Sequence, residues 1–319
     1  MRRFLSTLAT AALACSLAAC GGSSGTAPSS AGGVDKVKVG VISIVDVAPI
    51  YLGKQKGFFS KRNIELTLQS AQGGAAIVPS VVSGDEQFGF SNVTSLLVAQ
   101  SKGLPLKVVS NGVASTGQPG QDYSGVVVKS GSPVKTAADL VGKRVSVNTL
   151  NNIGDTTVRA SVRKAGGDPS KINFVELPLP DMPPALTAGR VDAIWVVEPF
   201  LSIARDQGGR VVASNYVDAA PDLTVAVYFA TQKLISEQPD LVRRFTEAMK
   251  ESLQYATNYP DEARQILGTY TKIDPKVIQE LTLPKWPAEI NRDSVQTLAQ
   301  LAQQDGLLTK QPDVAALLP

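Results

Sequence analysis

Val37-Lys38-Val39-Gly40-Val41-Ile42, then Ile64-Glu65-Leu66-Thr67-Leu68, Phe88-Gly89-Phe90 and the run 106–110 read as four strands. Between them, 48–56, 75–82 and 93–102 carry apolar residues at helical spacing. Strands alternating with helices of this length imply βαβ units, and hence a parallel sheet covered on both faces. Working outward, a second set begins at Gly125-Val126-Val127-Val128 and continues through Arg144-Val145-Ser146-Val147, a helix over 154–165 stopped by Gly166-Gly167, and strands over 172–176 and 191–197. Pro183-Pro184 opens a helix that Asp181 is placed to cap. After Leu223-Thr224-Val225-Ala226-Val227-Tyr228 the chain becomes amphipathic helix, over 238–258, 261–270 and 294–304.

Two α/β sets imply two lobes joined by two crossovers, placed near 122–126 and 223–228. The expected organisation is a discontinuous first lobe, 36–123 with 226–319, and a second lobe, 124–225. The fold class is α/β with mostly parallel sheets, and a cleft between lobes is a preferred ligand site.

The 319 residues suffice for two cores. With 31 Lys+Arg against 28 Asp+Glu, neither a nucleic-acid partner nor a polyacidic substrate is suggested. Arg2 and Arg3, an apolar run over 4–19 and the end Leu17-Ala18-Ala19-Cys20 form a signal-peptide pattern. The end resembles a bacterial lipobox with Cys20 as the lipidated residue; the alternative is an ordinary secretory leader that leaves Cys20 free. The expected divisions are a leader over 1–19 and a lipidated, flexible tether over 20–35, rich in Gly, Ser and Ala. Cys15 departs with the leader, so no disulfide forms within one mature chain.

Ala48-Pro49-Ile50-Tyr51-Leu52-Gly53-Lys54-Gln55-Lys56-Gly57-Phe58-Phe59, Ala71-Gln72-Gly73-Gly74, Phe88-Gly89-Phe90-Ser91-Asn92, Gly189-Arg190-Val191-Asp192-Ala193 and Val197-Glu198-Pro199-Phe200 follow in order. Together they resemble the nitrate/sulfonate/taurine-binding family of ABC-transporter substrate-binding lipoproteins, which also includes binders of thiamine-pyrimidine precursors. The resemblance covers 36–260. It implies the type II periplasmic-binding-protein fold, a bacterial extracytoplasmic location, and an ABC permease and ATPase as partners.

The chain contains no His. This removes Ser-His-Asp triads, Cys-His dyads and His-based metal sites, and Cys-based metal sites lack ligands too. The related pyrimidine synthases need an active-site His, so the enzymatic branch is not expected. No phosphate-binding G-x-x-x-x-G-K-[ST] loop is present, so ATP hydrolysis would come from a partner. No enzyme activity, cofactor or metal is expected, and the chain is expected to be a monomer.

Binding requires less. Helix N-termini carry partial positive charge and suit a small anion. Gln72, Gly73 and Gly74 form one such turn, where glycines permit close backbone approach or simply make the turn. Ser91, Asn92 and Thr94 offer polar groups at a helix start, for ligand or for capping alone. The stretch 148–155 is the second-lobe counterpart, with Thr149, Asn151 and Gly154 as candidates and Asn151 and Gly154 foremost. Asp46 after the first strand, Asp181 and Met182 at a strand exit, and Glu198 before Pro199 complete the polar set. Glu198 would bond either the ligand or the other lobe. Tyr123 and Tyr228 sit at the crossovers as hinge-lining candidates, whereas Trp195 reads as core. Arg159 and Arg163, four apart, read as a solvated helix face. Family frequency favours a sulfonate, taurine or nitrate ligand; a pyrimidine or aromatic carboxylate is the alternative, as is a sensor role uncoupled from import.

Overall fold

The computed structural model describes residues 33–319. Two five-stranded sheets organise Val34–Pro319. The first has the order β2-β1-β3-β10-β4, built from β1 (Asp35–Val41), β2 (Ile64–Ser70), β3 (Phe88–Asn92), β4 (Leu106–Ala114) and β10 (Thr224–Thr231). The second has the order β7-β6-β8-β5-β9, from β5 (Ser124–Lys129), β6 (Arg144–Val147), β7 (Asn173–Glu176), β8 (Ala193–Val197) and β9 (Gly209–Ala213). β1 is parallel to β2 and β3, and β6 is parallel to β7 and β8. β10 runs antiparallel between β3 and β4, and β5 antiparallel between β8 and β9. Each sheet is therefore a parallel βαβ unit with an antiparallel strand inserted where the chain changes sheet. This is the two-lobe α/β architecture expected.

The chain passes between sheets twice, from β4 to β5 and from β9 to β10. Helices cover both sheets: α1 (Ala48–Gln55), α2 (Gly74–Ser83) and α3 (Val93–Ser101) follow β1 to β3, while α4 (Ile153–Lys164), α5 (Met182–Thr187), α6 (Phe200–Asp206) and α7 (Asn215–Ala219) belong to the β5–β9 run. The C-terminal helices are α8 (Gln232–Glu237), α9 (Pro239–Asn258), α10 (Pro260–Gln265), α11 (Pro275–Glu280), α12 (Arg292–Gln304) and α13 (Val314–Leu317).

The long helix α9 shows why the tail returns to the first sheet. Leu241, Phe245, Ala248, Met249, Ser252, Leu253 and Ala256 form its buried stripe at helical spacing. Phe245 stacks on Phe88 with ring centroids 3.8 Å apart, and Tyr228 meets Phe245 edge-on. Removing water from so much aromatic and aliphatic surface is the main stabilising term.

The first crossover is pinned from inside. Asp122 is buried and accepts from the Thr116 and Tyr123 backbone N–H groups and the Ser115 hydroxyl, at 2.9–3.0 Å. The Gly120 N–H donates to Ser214 Oγ at 2.8 Å and so ties the two crossover segments together. The leader, Cys20 and the expected tether through residue 32 lie outside the described residues, and Asp35, expected to end that tether, opens β1.

Candidate ligand-binding site

The carboxyl ends of the parallel strands in both sheets face each other. Open parallel sheets bind ligands at that end, because loops and helix N-termini converge there. A narrow cavity of about 30 Å³ lies between them. From the first sheet come Ile42, Ile44, Asp46, Phe90, Asn92, Val225 and Ala226, and from the second Asn148, Ile153, Leu179, Trp195, Val197 and Tyr216. The lining is apolar and aromatic, with one carboxyl and two amides. Among the described residues no Lys or Arg lines it.

A larger groove, about 620 Å³, opens at the opposite end of the second sheet, beside Lys129, Lys143, Leu186 and Gly208. It involves one sheet only and lies away from both crossovers, so size alone does not make it the ligand site. Neither cavity gathers a metal-binding group: no cluster of three His, Cys, Asp or Glu occurs among the described residues.

Asp46 sits at the cavity wall in the turn before α1. It is buried; its Oδ2 accepts from the Tyr123 hydroxyl at 3.3 Å, and its Oδ1 has no partner. Its backbone carbonyl accepts from Trp286 Nε1 at 3.1 Å. Burial away from water pushes this carboxyl from 3.8 up to about 7, and its own backbone N–H and the Tyr123 hydroxyl only partly offset that. The folded protein then holds a proton that the unfolded chain releases, so stability falls as pH rises from about 4 to about 7. The expected result is that Asp46→Asn unfolds at a higher temperature than the parent at about pH 8, and that the gain vanishes near pH 4. Equal unfolding temperatures at both pH values would contradict this; calorimetry reads it directly.

Asn92 lines the cavity, but its side chain is already engaged. Oδ1 caps α3 by accepting from the Ser95 N–H at 2.9 Å, and Nδ2 donates to Ser95 Oγ. Asn152 caps α4 in the same way, accepting from the Gly154 N–H at 2.8 Å. The donors at two of the three helix N-termini expected to hold an anion are thus partly satisfied from within. Of those three, α2 alone starts without a side-chain cap.

At the α2 turn, Gln72 reaches the second sheet's loop: its carbonyl accepts from Asn148 Nδ2 at 3.3 Å. A Cβ on Gly73 would lie 2.9 Å from Asn148 Nδ2 and 3.0 Å from Thr149 Oγ1, so glycine permits this close approach. Gly74 backs onto Ser91, and the Ser91 hydroxyl donates to the Asn92 carbonyl. Thr149 Oγ1 accepts from Asn152 Nδ2 at 2.6 Å. Gly154 touches the cavity indirectly, because its α-carbon packs under the Trp195 ring.

Several expected contacts lie elsewhere. Asn151 is exposed at φ 57°, where its backbone N–H donates to Asp155 Oδ2; Asn148 takes the cavity position instead. Asp181 occupies the position before α5 but is exposed, and its side chain makes no capping hydrogen bond. Met182 is packed in the second sheet's core. Thr94 is buried outside the cavity with its hydroxyl unpartnered. Tyr228 points into the first sheet's core against Phe90 and Phe245, rather than lining a hinge. Arg159 and Arg163 are not a solvated face. Arg159 lies over the Phe174 ring, and Arg163 pairs at 2.5 Å with Asp305, whose side chain is 3% exposed.

Glu198 is fully buried. Its carboxylate accepts from Ser202 N–H and Oγ and, at 3.3 Å, from the Thr282 N–H of the C-terminal segment. Its carbonyl accepts from the Val45 N–H at 3.3 Å. Glu198 therefore joins the second sheet to segments packed on the first.

Two of the lining residues that the sequence reading missed are aromatic. Trp195 lines the cavity while its Nε1 donates to Ser124 Oγ at 3.1 Å, and Tyr216 meets it edge-on at 6.3 Å. A polar anchor on an otherwise strand-buried Trp is the local feature that fixes the ring at the cavity.

Residues 44–263 match the family model described as NMT1/THI5 like. The chain belongs to the NMT1/THI5-like family. Among its relatives, the 4-amino-5-hydroxymethyl-2-methylpyrimidine phosphate synthase of Legionella pneumophila is 24% identical over 69% of this chain and 68% of its own. The formylaminopyrimidine-binding protein of Halalkalibacterium halodurans is 21% identical over 69% of this chain and 65% of its own. The alkanesulfonate-binding protein SsuA from Xanthomonas axonopodis pv. citri, solved bound to MOPS, superposes with a TM-score of 0.75 at 19% identity, covering 89% of this chain and 98% of that one. That likeness establishes the shared periplasmic-binding-protein fold.

Proposed function

We propose that this protein is the extracytoplasmic solute-binding subunit of an ABC importer, held at the membrane by a lipid on Cys20 and acting as a monomer. The observation that carries this reading is the cavity shared by the carboxyl ends of both sheets, with the two chain crossovers beside it. The inner cavity, about 30 Å³, is far below the several hundred typical of ligand pockets and adjoins a groove of about 360 Å³ bordered by Ile44, Gln72, Leu179 and Phe200, so a ligand reaches Trp195 when the lobes, 36–123 with 226–319 and 124–225, part at the crossovers. The Glu198 contacts to Thr282 and Val45 would reform on closure. A permease and an ATPase would then accept the closed form.

Binding rather than turnover fits the lining. It contains one carboxyl and no nucleophile with an adjacent base, and the chain has no His to serve as one. The related synthase's name therefore does not transfer its chemistry to this site. The lining also supports a flat, largely uncharged ring more than a sulfonate or nitrate. Trp195, Tyr216 and Phe90 offer ring faces and edges, while no cation is present to hold an anion.

Thermal unfolding against pyrimidines, aromatic carboxylates, alkanesulfonates, taurine and nitrate tests the reading. A ligand at about 100 times its Kd stabilises the folded state by about 2.7 kcal/mol. A dose-dependent shift with a ring compound supports it, a shift with sulfonates alone moves the ligand to the uncapped α2 turn, and no shift with any compound removes the ligand assignment.

A further inference from the structure

We propose that the ion pair between Arg163 and Asp305 is a latch between the lobes: it holds the closed arrangement, and its release lets the cleft open. The two are positioning residues, acting on ligand entry through lobe closure and touching no ligand. This rests on the reading of 124–225 as a lobe that parts from the remainder.

Arg163 stands in the last turn of α4, and Asp305 directly follows α12, so the pair joins the second lobe to the first. α4 is fixed to the second lobe by α7. Ser161 Oγ donates to Asp218 Oδ2 at 2.9 Å, Lys164 pairs with the same carboxylate, and Asn215 Nδ2 donates to Thr157 Oγ1 at 2.7 Å. α4 also packs against α3 and α12 of the first lobe. Its N-terminal end lines the cavity through Ile153, whereas Arg163 lies about three turns further on. Arg163 Nη2 donates to Asp305 Oδ1 at 2.5 Å, and the Asp305 side chain is 3% exposed, so little water weakens the attraction. The pair is nonetheless incomplete. Arg163 Nη1, Asp305 Oδ2 and, one turn back on α4, Arg159 Nε are buried without partners. Burial pushes the Asp305 carboxyl above its ordinary value, and Arg163 and Arg159 only partly draw it back. Closure gains the ion pair but strands three polar atoms; parting the lobes surrenders the pair and returns those atoms to water. These opposed effects suit a contact that must release. A buried pair serving stability alone needs its remaining polar atoms satisfied as well.

Amide hydrogen exchange of the full chain tests this without any ligand. Two amides report on the closed arrangement, because the Val45 and Thr282 N–H groups of the first lobe bond Glu198 of the second. Asp305→Asn should speed exchange at both by at least about tenfold, while the Phe245 amide in α9, a reporter of global unfolding, changes less. Arg163→Gln should give the same result, and serves alone should Asp305→Asn not fold. The double variant should exceed neither single one, since each loses the same pair. Unchanged exchange at Val45 and Thr282, or an increase no larger than at Phe245, overturns the latch and leaves the lobe reading standing. If Val45 and Thr282 in the parent protein exchange only by global unfolding, at the rate of Phe245, the lobes do not part, and that reading falls with this inference.

Discussion

Phe245→Ala lowers the unfolding free energy by about 3–5 kcal/mol. Phe245 is fully buried on α9, stacks on Phe88 at 3.8 Å with planes 4° apart, and also touches Phe59 and Tyr228. Removing the ring deletes its transfer energy and leaves a void. β3 and β10 are hydrogen-bonded to each other beneath it, so the sheet cannot collapse to fill that space. In a chain of this size each kcal/mol moves Tm by about 2–4 °C, so a drop on the order of 10 °C is expected. The residue lies outside the cavity lining, so ligand affinity measured well below the variant's Tm should match the parent's. A loss below about 1 kcal/mol would show that α9 does not pack as described.

Gly154→Ala is expected to cost at least about tenfold in ligand affinity while leaving most of the stability in place. A Cβ there would sit 2.7 Å from the Trp195 ring, closer than carbon atoms approach without displacement. The ring cannot retreat into the sheet, because Ser124 holds Nε1 and β8 lies between β5 and β6. It must move toward a cavity of about 30 Å³, which has no room to spare. The helix itself tolerates alanine at this position. Adding Trp195→Phe to Gly154→Ala should recover part of the affinity, since a smaller ring clears the new methyl. A titration that finds additive losses in the double variant would mean that the two positions do not act through one contact.

Much of the fold was legible because its signals are local. The alternation from Val37 to Ser110 dictates strands and helices, Gly166-Gly167 ends α4, and the run 223–228 reads as a crossover, whose residues from Thr224 on form the central strand β10. β9 (Gly209–Ala213) and the short α7 went unread: the strand is half-buried at a sheet edge, and a five-residue helix carries too little periodicity. The site was legible in part. Asp46 and Asn92 were legible as candidates because strand-to-helix turns at carboxyl ends are where parallel sheets bind, whereas Gly73, Gly74 and Gly154 stand beside the cavity and not in its lining. Trp195, Tyr216 and Val225 were missed because they join the cavity only through the meeting of two sheets whose strands are remote in sequence. Within the 148–155 turn, polarity alone could not separate Asn148, which faces the first sheet, from Asn151, which points to solvent.

The chain has two tryptophans, and both report on the same place: Trp195 lines the cavity, and Trp286 bonds the Asp46 carbonyl. The most direct test of a ligand site between the sheets is therefore an emission titration of the Trp286→Phe variant, with Trp195 as the sole reporter. A ring ligand that stabilises the protein should change that emission saturably, with the same midpoint as calorimetry. A ligand that binds by calorimetry yet leaves Trp195 emission unchanged would contradict the account and place the site elsewhere on the molecule.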